Sequence, residues 1–367
     1  MTLTQGKYTP EAVFTRPAQL NLDIGDLFLK RATIDDVARL AAVSIKTVSR
    51  VLNREPKVRD STRQRVLEAM EALKYRPNSS ARRLAGNRSY LLGLLYDNPS
   101  PSYVTNIQNG VLAACKDEHY DILIYPCSHS DPSLLDEISE LITSVRVDGL
   151  LLTPPVSDMA VVRKHLRKLK APNVVISLAG DSRSKWTVGT NDREICAEMV
   201  SYLAGLGHQR IAFVMGHPDH KAIADRFEGF KDGMQDNGLK ILKSLCLQGY
   251  NTFASGVECG RRLLSRKHPP TAIFCANDDM ATGVMKVADE MNLPIPAELS
   301  VAGFDDSPLA SQIWPLLTTI RQPTSDMAYL AGKLLIRRLR GESPAGVKKV
   351  LVSELVIRES TGPVPAG

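Results

Sequence analysis

Long apolar runs are missing from this 367-residue chain: no stretch of about 18 uninterrupted apolar residues occurs, so no membrane-spanning helix is expected. The opening segment, MTLTQGKYTPEAVF, lacks a basic stretch followed by an apolar one, so no secretory signal is expected and a cytoplasmic location is the default. Paired cysteines are missing too. Cys115, Cys127, Cys196, Cys246, Cys259 and Cys275 stand far apart without metal-ligand spacing, which points to buried free thiols in a reducing compartment. No G-x-G-x-x-G follows the first strand, and there is no G-x-x-x-x-G-K-[ST] loop, no H-E-x-x-H and no G-x-S-x-G. No enzyme, catalytic residue, cofactor or metal is therefore expected. His208, His217 and His220 have aspartates nearby, but their turn and loop positions favour solvated or capping roles over a metal.

What the chain does have is uneven charge. Residues 31–88 hold 14 Lys/Arg against 6 Asp/Glu, whereas the whole chain holds 46 against 40. A short basic module joined to a near-neutral body is the arrangement of a phosphate-seeking head.

The basic module reads as three helices. Thr33 is placed to cap the first, with Asp35 and Asp36 in its opening turn. Ile34, Val37, Ala38 and Ala41 make one apolar face. Ala41–Ala42–Val43 forms a tight corner, and Ser44 caps a second helix that turns Val48, Val51 and Leu52 inward. A third helix runs from Asp60 or Ser61 to Leu73. Two short helices joined by a tight turn, inside a basic unit, describe a helix-turn-helix. The segment SSARRLAGN beyond Pro77 has helix-capping signals but is too short to be stable alone. Residues 1–30 show no sustained period and read as a flexible leader.

From Tyr90 the pattern changes. Apolar strands such as LLGLLYD, DILIYP, DGLLLTP and NVVISLA alternate with amphipathic helices, and the alternation repeats after Asn191 through RIAFVMG, AIFCAND and LSVAGFDD. Two α/β lobes with parallel sheets are implied, and ligands in such lobes sit beyond the C-terminal strand ends. The segment LLTTIRQP must reconnect the lobes, followed by a helix at 324–340 and one last strand, VLVSELVIRES.

This order of elements resembles the LacI/GalR family of bacterial transcription regulators over roughly residues 31–360. ATIDDVARLAAVSIKTVSRVLN is similar to the family's DNA-binding signature, and YRPNSSARRLAG to its hinge helix. LGHQRIAFVMG, ADRFEGF, IFCANDDMATGVMK, SVAGFDD and LLTTIRQP are similar to its sensor body, in order. Ala42 departs from members with Gly before the Val-Ser of the turn, and it fits there if its backbone lies at negative φ. The resemblance implies an all-α helix-turn-helix head followed by an α/β two-lobed sensor like periplasmic sugar-binding proteins. It divides the chain into a leader (1–30), a head (31–76), a hinge helix and linker (77–88), a first lobe (89–189 plus about 321–342) and a second lobe (190–320 plus about 343–362). It also implies a homodimer on double-stranded operator DNA, with the body helix from Val104 to Cys115 at the dimer surface. No leucine-heptad tail follows VLVSELVIRES, so a dimer is expected rather than a tetramer.

Site expectations follow residue by residue. Ile45, Lys46, Ser49 and Arg50 lie on the groove-facing side of the second helix. Lys46 and Arg50 can reach guanine O6 and N7, and Ile45 suits a thymine methyl. Thr33, Ser44, Thr47, Asn53 and Thr62 are candidate phosphate anchors, as are the charged Lys57 and Arg59. Leu84 matches the family's intercalating leucine, and Ala81 is small enough to let two hinge helices approach in the minor groove. For the effector, Arg226 and Asp305 are the strongest candidates, joined by the strand-end groups Asp97 and Asn277, by Tyr103 and Tyr250 as stacking faces, and by Gln322 on the crossing between lobes. A sugar or glycoside is the favoured effector, and a purine or other metabolite acting as corepressor is the alternative.

Overall fold

The computed structural model describes residues 32–52, 58–75, 88–176, 186–343, 345 and 349–364. The chain divides into two units, residues 1–78 and 79–367.

In the first unit, helices α1 (Ile34–Leu40), α2 (Ile45–Leu52) and α3 (Asp60–Ala72) close over Val37, Ala38, Ala41, Val48, Val51, Val66 and Ala69. Thr33 and Asp36 form a reciprocal capping box at α1, with the Thr33 hydroxyl accepting from the Asp36 N–H and the Asp36 carboxylate accepting from the Thr33 N–H. Ser44 Oγ accepts from the Thr47 N–H at 3.2 Å and so caps α2. Ala42, in the turn between α1 and α2, has φ +51°. The condition under which alanine was expected to fit here, a negative φ, is therefore not met. Reversing the chain between two helices in so few residues requires a left-handed residue here, and Ala42 carries it with a Cβ.

The second unit begins with β1 (Leu91–Tyr96), α4 (Pro101–Glu118), β2 (Asp121–Pro126), α5 (Leu134–Thr143), β3 (Gly149–Leu152), α6 (Ala160–Lys168), β4 (Asn173–Ile176) and β5 (Thr187–Thr190). The second lobe follows with α7 (Asp192–Gly205), β6 (Ile211–Met215), α8 (Lys221–Asp236), β7 (Cys246–Gln248), α9 (Phe253–Leu264), β8 (Ala272–Cys275), α10 (Asp278–Glu290) and β9 (Ser300–Ala302). The chain ends through β10 (Thr319–Arg321), α11 (Thr324–Leu339), β11 (Val350–Leu351) and β12 (Glu354–Val356).

Two parallel sheets result, in the orders β11-β5-β4-β3-β1-β2 and β7-β6-β8-β9. Side chains alternate across the first sheet. Leu92, Leu94 and Leu151 pack under α4 and α11, while Leu95, Leu150 and Leu152 pack under α5 and α6. Both faces are thus covered, which is why these strands read as continuous apolar runs. The second sheet buries Phe213, Phe274 and Val301 among α7, α8, α9 and α10.

The last strand divides. Val350–Leu351 extends the first sheet beside β5, and Glu354–Val356 pairs antiparallel with β10. The break falls at Ser353, whose N–H donates to the Asn191 side chain at 2.8 Å, fastening two of the lobe crossings together. The four buried cysteines and the two half-buried ones are all free thiols. None of the helices among the described residues is long and apolar enough to cross a membrane.

Candidate functional site

The helical unit presents one polar, cationic face. Val48 and Val51 are buried, which turns the opposite side of α2, with Ile45, Lys46, Ser49 and Arg50 at three- and four-residue spacing, away from the core. Ile45 and Lys46 are exposed, and Ser49 and Arg50 are half-exposed. Ile45 is 47% exposed. Thr33, Ser44 and Thr47 stand at the starts of α1 and α2, with their hydroxyls already engaged in local caps. Arg59 occupies the N-cap position of α3 without a side-chain cap bond, and Thr62 lies in that helix's first turn. Asn53, Lys57, Ala81 and Leu84 lie outside the described residues.

In the second unit, a cavity of about 30 Å³ opens between the lobes beyond the strand ends. Tyr103, Arg226, Asn277, Asp305 and Gln322 all line it. Five of the expected residues, from five separate segments, meet in one place. Asn98, Ser100, His220 and Asn251 also line it. The first two follow the end of β1 and the last follows β7, so the strand-end rule would have found them.

Two expected residues are elsewhere. Asp97 directly follows β1, but its carboxylate is taken by His129, at 2.6 Å from Nδ1 and 2.8 Å from the backbone nitrogen. Tyr250 is half exposed outside the cavity, with its ring edge-to-face with His217 at 5.8 Å. Two histidines also differ from the solvated or capping roles expected of them. His208 is buried and bonded to Thr271, Ser300 and the Gly362 carbonyl. His220 is buried at the cavity wall, and its side chain caps no helix. Burial, then the neighbouring His217 and Arg226 charges, push its pKa down to about 4, so it is neutral near pH 7.

Arg226 anchors the polar cluster. Its Nε donates to Asp192 at 2.9 Å and its Nη1 to the Ala276 carbonyl at 2.5 Å, while Nη2 stands 3.9 Å from Asp305. The guanidinium also lies 3.6 Å from the Phe304 ring centroid. Burial works against its charge, but Asp192 and Asp305 outweigh burial and hold its pKa above the usual value. Asp305 sits at φ +114°, an unfavourable backbone for a non-glycine residue, and accepts from Gln322 Nε2 at 2.5 Å. Burial pushes the Asp305 carboxyl up to about 7, against the pull of Arg226. Asn277 caps α10 through its Oδ1 and donates to the Asn251 carbonyl at 3.1 Å. Tyr103 Oη, Asn251 Oδ1 and Gln322 Oε1 are buried with no hydrogen-bond partner in the structure. A fold leaves such groups unpaired at a cost of about 1–3 kcal/mol each. Among the described residues no group of three or more His, Cys, Asp or Glu is arranged to hold a metal ion.

The two parts match two family models. Residues 33–78 match that of "Bacterial regulatory proteins, lacI family", and residues 200–361 match a "Periplasmic binding protein-like domain". The chain is 32% identical over 333 residues to the "Probable HTH-type transcriptional repressor ExuR" of Bacillus subtilis (strain 168), covering 89% of this chain and 98% of that one. It superposes on the lac repressor dimer bound to operator and the anti-inducer ONPF with TM-score 0.69 and 27% identity, covering 91% of this chain and 100% of that one. It superposes likewise on the transcriptional regulator CelR–cellobiose complex with TM-score 0.68 and 26% identity, covering 90% and 100%. A helix-turn-helix with an exposed cationic face, a two-lobed body with a polar cleft, and relatives alike from end to end lead to one assignment: the chain belongs to the lacI family of bacterial regulatory proteins.

Proposed function

We propose that this repressor binds its operator as a homodimer through α2 and releases it when a neutral, hydroxyl-rich effector, a sugar or glycoside, occupies the cleft at Tyr103, Arg226, Asn277, Asp305 and Gln322. The observation that carries the effector class is the surplus of acceptors. Asn251, Gln322 and Asp305 line the cavity, the first two with buried amide oxygens that lack a hydrogen-bond partner, while Arg226 has committed two of its donors to Asp192 and Ala276 and only the Tyr103 hydroxyl adds an unpaired donor. A ligand that supplies several O–H donors satisfies such a wall, whereas a carboxylate or phosphate would meet acceptors of its own sign. The cellobiose bound by the similar CelR supports this class.

The cleft as it stands is far smaller than the roughly 300–1,000 Å³ of ordinary ligand pockets. Entry of a sugar therefore needs the lobes to part, and the lobe crossings at Asn191, Gln322 and Ser353 are where the body can bend. An effector changes operator affinity only to the extent that it binds the two lobe arrangements differently. In the head, Lys46 and Arg50 read base edges, Ile45 contacts a thymine methyl, and Arg59 and Thr62 fix register on phosphates. The dimeric lac repressor on its operator supports the dimer, and the exposed Leu112 on α4 lies on the face expected to meet the partner.

The test is operator affinity at one fixed salt concentration, with and without a panel of sugars, glycosides and purines. Sharp weakening by one sugar supports the reading. Tightening by a purine replaces it with a corepressor mechanism.

A further inference from the structure

His129 lies outside the cleft lining. It follows β2 in the first lobe. Its Nδ1 stands 2.6 Å from Asp97 Oδ2, and its Nε2 stands 3.1 Å from Oδ2 of Asp219, in the second-lobe loop between β6 and α8. The ring thus joins the lobes. An imidazole with a carboxylate at each nitrogen satisfies both only when both nitrogens carry protons, because the neutral ring has a single N–H. A second link stands nearby. Asp158 of the first lobe accepts from the backbone N–H of Lys221, the opening residue of α8, at 3.1 Å. Both links grip residues 217–221, and α8 carries Arg226 into the cleft.

We propose that protonated His129 is a positioning residue that clasps the 217–221 loop to the first lobe and holds the effector cleft shut, so that the lobes part more readily when the ring loses its proton. The inference rests on reading the cleft as the effector site, but not on which effector it takes. The groups facing the ring agree. Asp97 and Asp219 favour the cation. His217, 6.1 Å away between ring centroids and 3.7 Å from Asp219, shares that second carboxylate. His220 is neutral near pH 7, Arg226 is engaged with Asp192, and the half-buried Cys127 keeps its proton, its pKa pushed up to about 12 by burial and then by Asp97. Burial works against charge on His129, yet the bonds to Asp97 and Asp219 outweigh it and raise its pKa above the ordinary histidine value.

The experiment is amide hydrogen exchange on the full-length protein without effector, corrected for intrinsic rates, at about pH 6 and about pH 8.5. Since no effector is present, a wrong effector class cannot change the outcome. Amides of residues 216–223 should exchange roughly three- to tenfold faster at the higher pH, where loss of the ring proton releases the clasp. His129→Gln should exchange at the faster rate at both values, and Asp219→Asn, which breaks the clasp from the other lobe, should do the same. Strand residues 272–275 should stay unchanged in both variants. Equal exchange at 216–223 in wild type and variants would overturn the clasp. So would a matching loss of protection at 272–275, since the ring would then support the fold rather than the lobe contact.

Discussion

Replacing Arg226 with alanine is the obvious way to silence the effector site, and the structure predicts that it does more than that. The Asp192 carboxylate is fully buried, and Arg226 is its charged partner at 2.9 Å; the Thr190 hydroxyl is its other hydrogen-bond donor. Removing the guanidinium also frees the Ala276 carbonyl and strips the Phe304 ring of its stacked cation. Breaking a buried pair from one side costs about 3–5 kcal/mol, because the other charge is left in a poor solvent. That is a large part of the roughly 5–15 kcal/mol that holds a typical domain together. Arg226→Ala should therefore lower the calorimetric unfolding temperature of the body as well as abolish the effector response. The double variant Asp192→Asn, Arg226→Met removes both charges and should recover most of the loss. Asp305→Asn, by contrast, deletes a carboxylate 19% exposed at the cavity, and should cost under about 1 kcal/mol while still blunting the effector response. A single Arg226→Ala variant within about 1 kcal/mol of wild type would refute the reasoning, for Asp192 would then have to be stable without its partner.

Three further outcomes are expected. Ala42→Gly should stabilise the helical unit by about 1 kcal/mol, since Ala42 is exposed and its left-handed backbone costs nothing in a glycine; faster exchange of the Val48 and Val51 amides in that variant would count against this. With Asp305 titrating at about 7, affinity for a hydroxylated effector should fall as pH drops from 8 to 6, because the protonated acid accepts fewer hydroxyl hydrogens. The stability contribution runs the other way. A carboxyl raised above its unfolded value destabilises the fold while ionised, and relief comes as pH falls through about 7, so unfolding and binding measured across the same window should move oppositely and Asp305→Asn should flatten the binding curve. In the head, Arg50→Ala should cost about 1–3 kcal/mol on the cognate operator and much less on unrelated DNA, whereas Arg59→Ala should weaken both alike and lower the salt dependence of binding.

Much of this was legible in the chain itself. Period-3.6 apolar spacing placed Val37, Val48, Val51 and Val66 in one small core, and Thr33 and Ser44 marked helix starts, because capping and amphipathicity are local and a side chain's fate follows from its neighbours in sequence. Strand-end placement, a rule of the fold class, marked Asn277 and Asp305 for the cleft. Other features needed the tertiary structure. The sign of φ at Ala42 is set by the angle at which two helices must meet, not by the residue. Asp97 and Asn98 are adjacent strand-end polar residues, yet Asp97 is drawn off by His129 from the turn after β2 while Asn98 lines the cleft. VLVSELVIRES reads as one strand, and only the crossing at Asn191 divides it between two sheets. Sequence alone determined the elements, the charged head and five of the residues that line the cleft. Which carboxylate pairs with which cation, Asp192 with Arg226 or Asp97 with His129, was decided by the fold, because those partners lie 34 and 32 residues apart and meet only once both lobes have closed around their cores.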